Sequence, residues 1–159
     1  MKLTVEVLVI NNSKRLEQMG RLCSKAILLV FMLVSSMTAY GERDTSRDQF
    51  RHPVETLSFF GITPAMNVVE ISPGGGWYTE ILAEHLTGSL FAAHYDPKAE
   101  RAYYRNSQGK FATKMASDPV LYGNVQMHIF DATNGILNTE DNSADAVVTF
   151  RNVHNWLGA

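Results

Sequence analysis

The stretch Val68-Val69-Glu70-Ile71-Ser72-Pro73-Gly74-Gly75-Gly76-Trp77-Tyr78-Thr79-Glu80-Ile81-Leu82 decides the fold. A short apolar run ends in a carboxylate and passes through successive glycines. It then enters a segment where Tyr78, Ile81, Leu82 and His85 recur at helical spacing. That order predicts a strand, a tight turn and a helix start, the arrangement with which an open α/β sheet presents its ligand edge. Glycine suits such a bend because it reaches positive φ and puts no Cβ between backbone and ligand. An ordinary strand-to-helix turn is the competing reading.

Working outward, residues 53–60 read as a short helix with Pro53 in its first turn and Gly61 as its C-terminal cap. Pro64 breaks the chain before a strand at 67–71, and a helix at 77–86 follows the glycines. Residues 90–95 read as the second strand. Asp96-Pro97 reads as a helix start, with aspartate as N-cap and the helix running to Met115 past a weak point at Gly109. A third strand at 125–130 closes on Asp131, Asp141-Asn142-Ser143 turns the chain, and 146–150 form a fourth strand. The alternation predicts an α/β, Rossmann-like parallel sheet of about four strands with flanking helices and right-handed crossovers.

The 159 residues suit one domain, and 45% hydrophobic with 19% charged residues describe a globular chain. A net charge of -2 gives no basic footprint for nucleic acid. Cys23 is the only cysteine, which excludes an internal disulfide framework and a cysteine-based zinc site. His52, His85, His94 and His128 show no metal-ligand spacing, so no metal is expected.

Ahead of the domain, Ala26-Ile27-Leu28-Leu29-Val30-Phe31-Met32-Leu33-Val34 is an unbroken apolar run preceded by Arg21 and Lys25 and followed by small residues. This is the order of a secretory signal peptide, and Ala39-Tyr40-Gly41 puts small residues where cleavage needs them. Residues 1–41 are therefore read as a signal peptide or N-terminal hydrophobic segment, with Met19 as the more ordinary start. Residues 42–159 are the domain. The expected location is exported, periplasmic or secreted, with no stable membrane association after cleavage and a membrane anchor if the segment is retained.

Several features together resemble the class I S-adenosylmethionine-dependent methyltransferases. Glu70-Ile71-Ser72-Pro73-Gly74-Gly75-Gly76 looks like that family's acidic-x-Gly-x-Gly-x-Gly motif, with Ser72 in the place of the first glycine. Asp96 closes the second strand, Phe130-Asp131-Ala132 follows the third, and Asp141-Asn142-Ser143-Ala144-Asp145 leads into the fourth. More narrowly, Glu55-Thr56-Leu57, Phe59-Phe60-Gly61-Ile62, the glycine loop and Phe150-Arg151-Asn152-Val153-His154-Asn155-Trp156 resemble an exported bacterial branch of predicted methyltransferases. The likeness runs from Arg51 to the end. The family's sheet has seven strands, so the resemblance implies the N-terminal part of that domain, a fragment of doubtful activity alone.

The resemblance implies S-adenosylmethionine as cofactor and a small-molecule or other methyl acceptor as partner. Ser72, Gly74, Gly75 and Gly76 would offer backbone N–H groups to the cofactor's carboxylate, and Glu70 would meet its amine or hold the loop. Asp96 would hold both ribose hydroxyls, a bidentate task suited to a carboxylate, and Asp131 the adenine amino group. His154 is the candidate base for an acceptor that must lose a proton. Arg151 would face an anionic acceptor or form a surface ion pair. Two alternatives stand beside this: a non-catalytic exported ligand-binding protein of the same fold, and an NAD-binding Rossmann protein. The last is disfavoured because Thr79 sits where its fingerprint wants a third glycine.

Overall fold

The apolar runs pair into one sheet. A computed structural model describes residues 43–157; the signal-peptide reading of 1–41 lies outside the described residues. The strands are β1 (Val68–Ile71), β2 (Leu90–His94), β3 (Val125–Asp131), β4 (Ile136–Leu137) and β5 (Ala146–Val148), in the spatial order β4-β3-β2-β1-β5. The helices are α1 (Asp48–Arg51), α2 (Pro53–Phe59), α3 (Trp77–His85), α4 (Ala102–Ser117) and α5 (Val153–Trp156). The fold is α/β, consistent with a Rossmann-like arrangement.

Alternation within the strands sorts the core. Val68, Glu70, Leu90, Ala92, His94 and Val148 share one face by register. There Val68, Leu90 and Val148 join Leu57, Tyr78, Ile81, Leu82, Phe111 and Met115 from the helices in the main cluster. Val68, Leu82 and Leu90 are wholly buried, each contributing on the order of 2 kcal/mol of hydrophobic stabilisation. Val69, Phe91 and Ala93 form a smaller cluster on the other face, with Ile71 and Phe130 against it. Register is locked at the strand starts. Asn67 N–H donates to Asp145 Oδ2 at 2.8 Å, and Asn67 Oδ1 accepts from Ser89 N–H at 2.8 Å.

Pro53 opens α2 as expected, and Gly61 (φ 70) ends it. Gly61 N–H bonds to Ser58 O and Ile62 N–H to Leu57 O, a Schellman closure that seats Ile62 against Leu57 in the core.

Four expectations are corrected. The sheet is mixed, because β4 pairs antiparallel with β3 through a hairpin. The sequence supplies that hairpin: Asp131 Oδ1 accepts from Thr133 and Asn134 N–H, and Gly135 takes φ 65. Among the described residues there are accordingly five strands, not four. The last strand stops at Val148, where the Thr149 hydroxyl donates to Ile71 O at 3.0 Å and Arg151 turns at φ 62. Asp96 does not cap a helix. Its side chain accepts from Lys98 N–H and its carbonyl from Ala99 N–H, a single turn, and α4 begins only at Ala102. Finally, the polar, charged stretch 41–50 predicts a solvated linker, yet α1 forms at Asp48–Arg51, tied by an Arg43–Asp48 ion pair.

Candidate functional site

The chain order builds β1, β2 and β3 outward to one side, then places β5 on the other flank of β1. The carboxyl ends of β1 and β5 are therefore a topological switch point, where open α/β sheets bind ligands. A cavity of about 180 Å³ lies there, lined by Glu70 and Ser72 to Gly75 from β1 and its loop, and Phe150, Arg151 and Asn152 beyond β5. Trp77 and Tyr78 of α3, with Arg47 and Arg51 from the α1 region, complete its wall. A larger shallow depression of about 580 Å³ is lined by α4 alone and gathers no convergent chemistry.

The glycine loop is held from behind. Asn152 Nδ2 donates to Ser72 O at 3.0 Å, His94 Nε2 lies 3.2 Å from Gly74 O, and Lys114 Nζ donates to Gly76 O at 3.2 Å. Tyr95 N–H donates to His94 Nδ1 at 2.7 Å, so the ring's proton sits on Nε2 and goes to Gly74 O. Burial holds His94 below its ordinary pKa, and it stays neutral. With these carbonyls engaged, the N–H groups of Gly74 and Gly75 have no acceptor among the described residues. They adjoin the uncapped N-terminus of α3, which adds a partial positive charge. A Cβ on Gly74 or Gly75 would meet nothing within 4 Å, so the loop is open to an approaching group; one on Gly76 would come within 3.1 Å of Phe111.

Ser72 has φ 55, the left-handed conformation that favours glycine. Of the four non-glycine residues at positive φ among the described residues, Ser72 and Arg151 line the cavity and His52 adjoins Arg51. Such strain gathers where a site is held in shape against local preference. Ser72→Gly is expected to stabilise the fold by about 0.5–1 kcal/mol, the relief of strain exceeding the added chain entropy. A thermal melt checks this, and a lowered midpoint would contradict it.

Glu70 lines the cavity yet is buried, accepting from the Thr79 hydroxyl at 2.6 Å. Burial pushes its pKa up to about 7, against the bond from Thr79 and the charge of Lys114. Its one hydrogen-bond partner here is thus a side chain on α3, not the loop's backbone N–H groups.

Ser72, Gly74, Gly75 and Gly76 are brought together, and Gly74 is bonded to His94, two residues before Asp96. Asp96 thus shares the loop's edge of the sheet, through the pairing of β1 with β2. Asp131 lies two strands further at the end of β3, with both oxygens occupied by Thr133 and Asn134. His154 is exposed on α5 and is not among the residues that line the cavity. Trp156 packs edge-on against Phe130 at 5.6 Å. Phe150 stacks on Tyr78 at 3.6 Å, and the Arg51 guanidinium lies 4.5 Å over Trp77. Sequence reasoning missed His94, Arg47 and Arg51; only the position of His94 at a strand's carboxyl end hinted at a role. Among the described residues, no three His, Cys, Asp or Glu side chains gather as a metal site requires. No protein-family model matches the chain, and no curated protein matches it.

Proposed function

We propose that this chain is the cofactor-binding part of an S-adenosylmethionine-dependent methyltransferase of the Rossmann-like type, acting on a separate methyl acceptor after export. The observation that carries the reading is the glycine loop at the switch point, its carbonyls held by Asn152, His94 and Lys114 and its Gly74 and Gly75 N–H groups open. Those groups and the α3 N-terminus fit a carboxylate without calling for a phosphate. Asp96 spends Oδ1 on Lys98 and keeps Oδ2 for a hydroxyl. When bound, the cofactor supplies a methyl on a sulfonium, whose C–S electron pair stays on sulfur as the acceptor's lone pair forms the new bond. The chain's contribution is positioning. Beside the switch point, buried Tyr78 and half-buried Phe150 stack to form one aromatic wall.

The nicotinamide reading is weaker, because Thr79 is buried with its hydroxyl committed to Glu70, where that fingerprint wants a glycine. Calorimetric titration of the full chain with S-adenosylhomocysteine and with NAD tests both. Micromolar-range binding of the former and none of the latter is expected. Asp96→Ala should weaken S-adenosylhomocysteine by about tenfold or more, the loss of a charge-assisted bond. Equal affinity in wild type and variant would remove Asp96 from the site, and tighter binding of NAD would overturn the proposal.

A further inference from the structure

Arg47, Arg51 and Arg151 all line the switch-point cavity, although about a hundred residues separate the first two from the third. The ion pairs among the described residues involve Arg43 and Lys114; none reaches these three side chains. Nor does any of the three guanidinium groups donate a hydrogen bond among the described residues, whereas Arg43 is paired with Asp48 and lies 3.9 Å from Glu84. Further donors of the wall stand without an acceptor among the described residues. The N–H groups of Gly74 and Gly75 are open, and the buried Trp77 Nε1 has no acceptor. The one carboxyl in the lining, Glu70, is already bonded to Thr79.

We propose that Arg47, Arg51 and Arg151 form, beside the glycine loop whose N–H groups are left to the donor's carboxylate, a seat for a compact dianionic group, a phosphate or paired carboxylates, carried by the methyl acceptor. This rests on the methyltransferase reading and adds to it the class of acceptor. Charge decides between the two ligands of that reaction. The methyl donor carries a sulfonium and an ammonium against one carboxylate, so an arginine trio repels more of it than it attracts. A dianion has the opposite balance and matches guanidinium forks bidentately. Size agrees, since about 180 Å³ encloses one polar group, less than the roughly 300–1,000 Å³ of a pocket for a whole drug-sized ligand. The like charges are felt already: burial first, then Arg47 and Arg151, hold the Arg51 guanidinium below its ordinary pKa. Arg51 is braced over Trp77, so its position is set before any ligand arrives.

The test is calorimetry on the full chain at low salt, with inorganic phosphate and malonate as probes and S-adenosylhomocysteine in a separate arm. Phosphate or malonate should bind the wild type, the stronger of the two naming the group. Arg151→Gln and Arg47→Gln, both at solvent-accessible positions, should each weaken that probe by about tenfold while S-adenosylhomocysteine affinity stays put. Absence of both anions from the wild type, or binding unmoved in both variants, overturns the seat. S-adenosylhomocysteine weakened in parallel also overturns it, because the arginines would then serve the donor. Anion binding lost in the variants, with no S-adenosylhomocysteine binding to the wild type, supports the seat and ends the methyltransferase reading instead.

Discussion

Gly88→Ala is expected to lower stability by about 3 kcal/mol, enough to drop the melting midpoint by roughly 10 °C in a domain of this size. Gly88 lies between α3 and β2, where the chain passes under the segment leading into β1. A Cβ there would sit 2.3 Å from Met66 O and 3.1 Å from Ala65 O, both backbone atoms. No rotamer can move them aside. The segments are fixed on either side, by Thr87 N–H donating to Pro64 O at 2.7 Å and Val68 N–H donating to Ser89 O at 2.9 Å. Relief therefore means shifting the start of β1 or β2, with their paired register. Gly109→Ala is the matched control. Its Cβ meets nothing within 4 Å in the interior of α4, so the same chemical change should stabilise by about 1 kcal/mol through helix propensity. Urea unfolding followed by circular dichroism reads both. A neutral Gly88→Ala would show that the two crossing segments are not packed as described.

Glu70→Gln should flatten a pH dependence that the wild type shows between about pH 4.5 and 7. The native carboxyl is pushed up to about 7 from 4.5 because burial disfavours its charged form. As pH rises through that window the unfolded chain loses the proton first. Stability then falls with rising pH, by about 3 kcal/mol in all. A glutamine cannot titrate and still offers an oxygen to the Thr79 hydroxyl. The variant should match wild type near pH 4.5 and exceed it by about 2–3 kcal/mol at pH 8. His94 works in the opposite sense, since its lowered pKa costs stability as pH falls. Subtracting the variant's curve from wild type's cancels His94 and leaves Glu70. Parallel curves would mean that Glu70 is ionised in the native state throughout.

The two variants probe features of different legibility. Gly88 could be read as ending a turn, but not as a crossing point, because its clash partners lie in the segment before β1. The carboxylate at the end of the first apolar run was visible; its burial was not, since it depends on α3 and the rest of the helix layer packing over that face. The same holds for His94, which looks like one of several scattered histidines until β2 lies beside β1 and puts it against Gly74. Asp96-Pro97 misled for the converse reason. Its local chemistry serves a single turn as well as a helix cap, and the Ala99-to-Asp96 backbone bond settled on the turn.

Sequence alone determined what neighbours along the chain decide: the strand–glycine–helix unit at 68–85, the Gly61 cap, and the alternation that makes the fold α/β. Those follow from apolar period, φ preference and capping, all acting within a few residues. The tertiary structure decided the rest. Strand order put β5 beside β1, and that placement alone carries Arg151 to the cavity where Arg47 and Arg51 already stand. Charges so far apart in sequence leave no local pattern, because their meeting is fixed by which strands pair and by nothing in their own neighbourhoods.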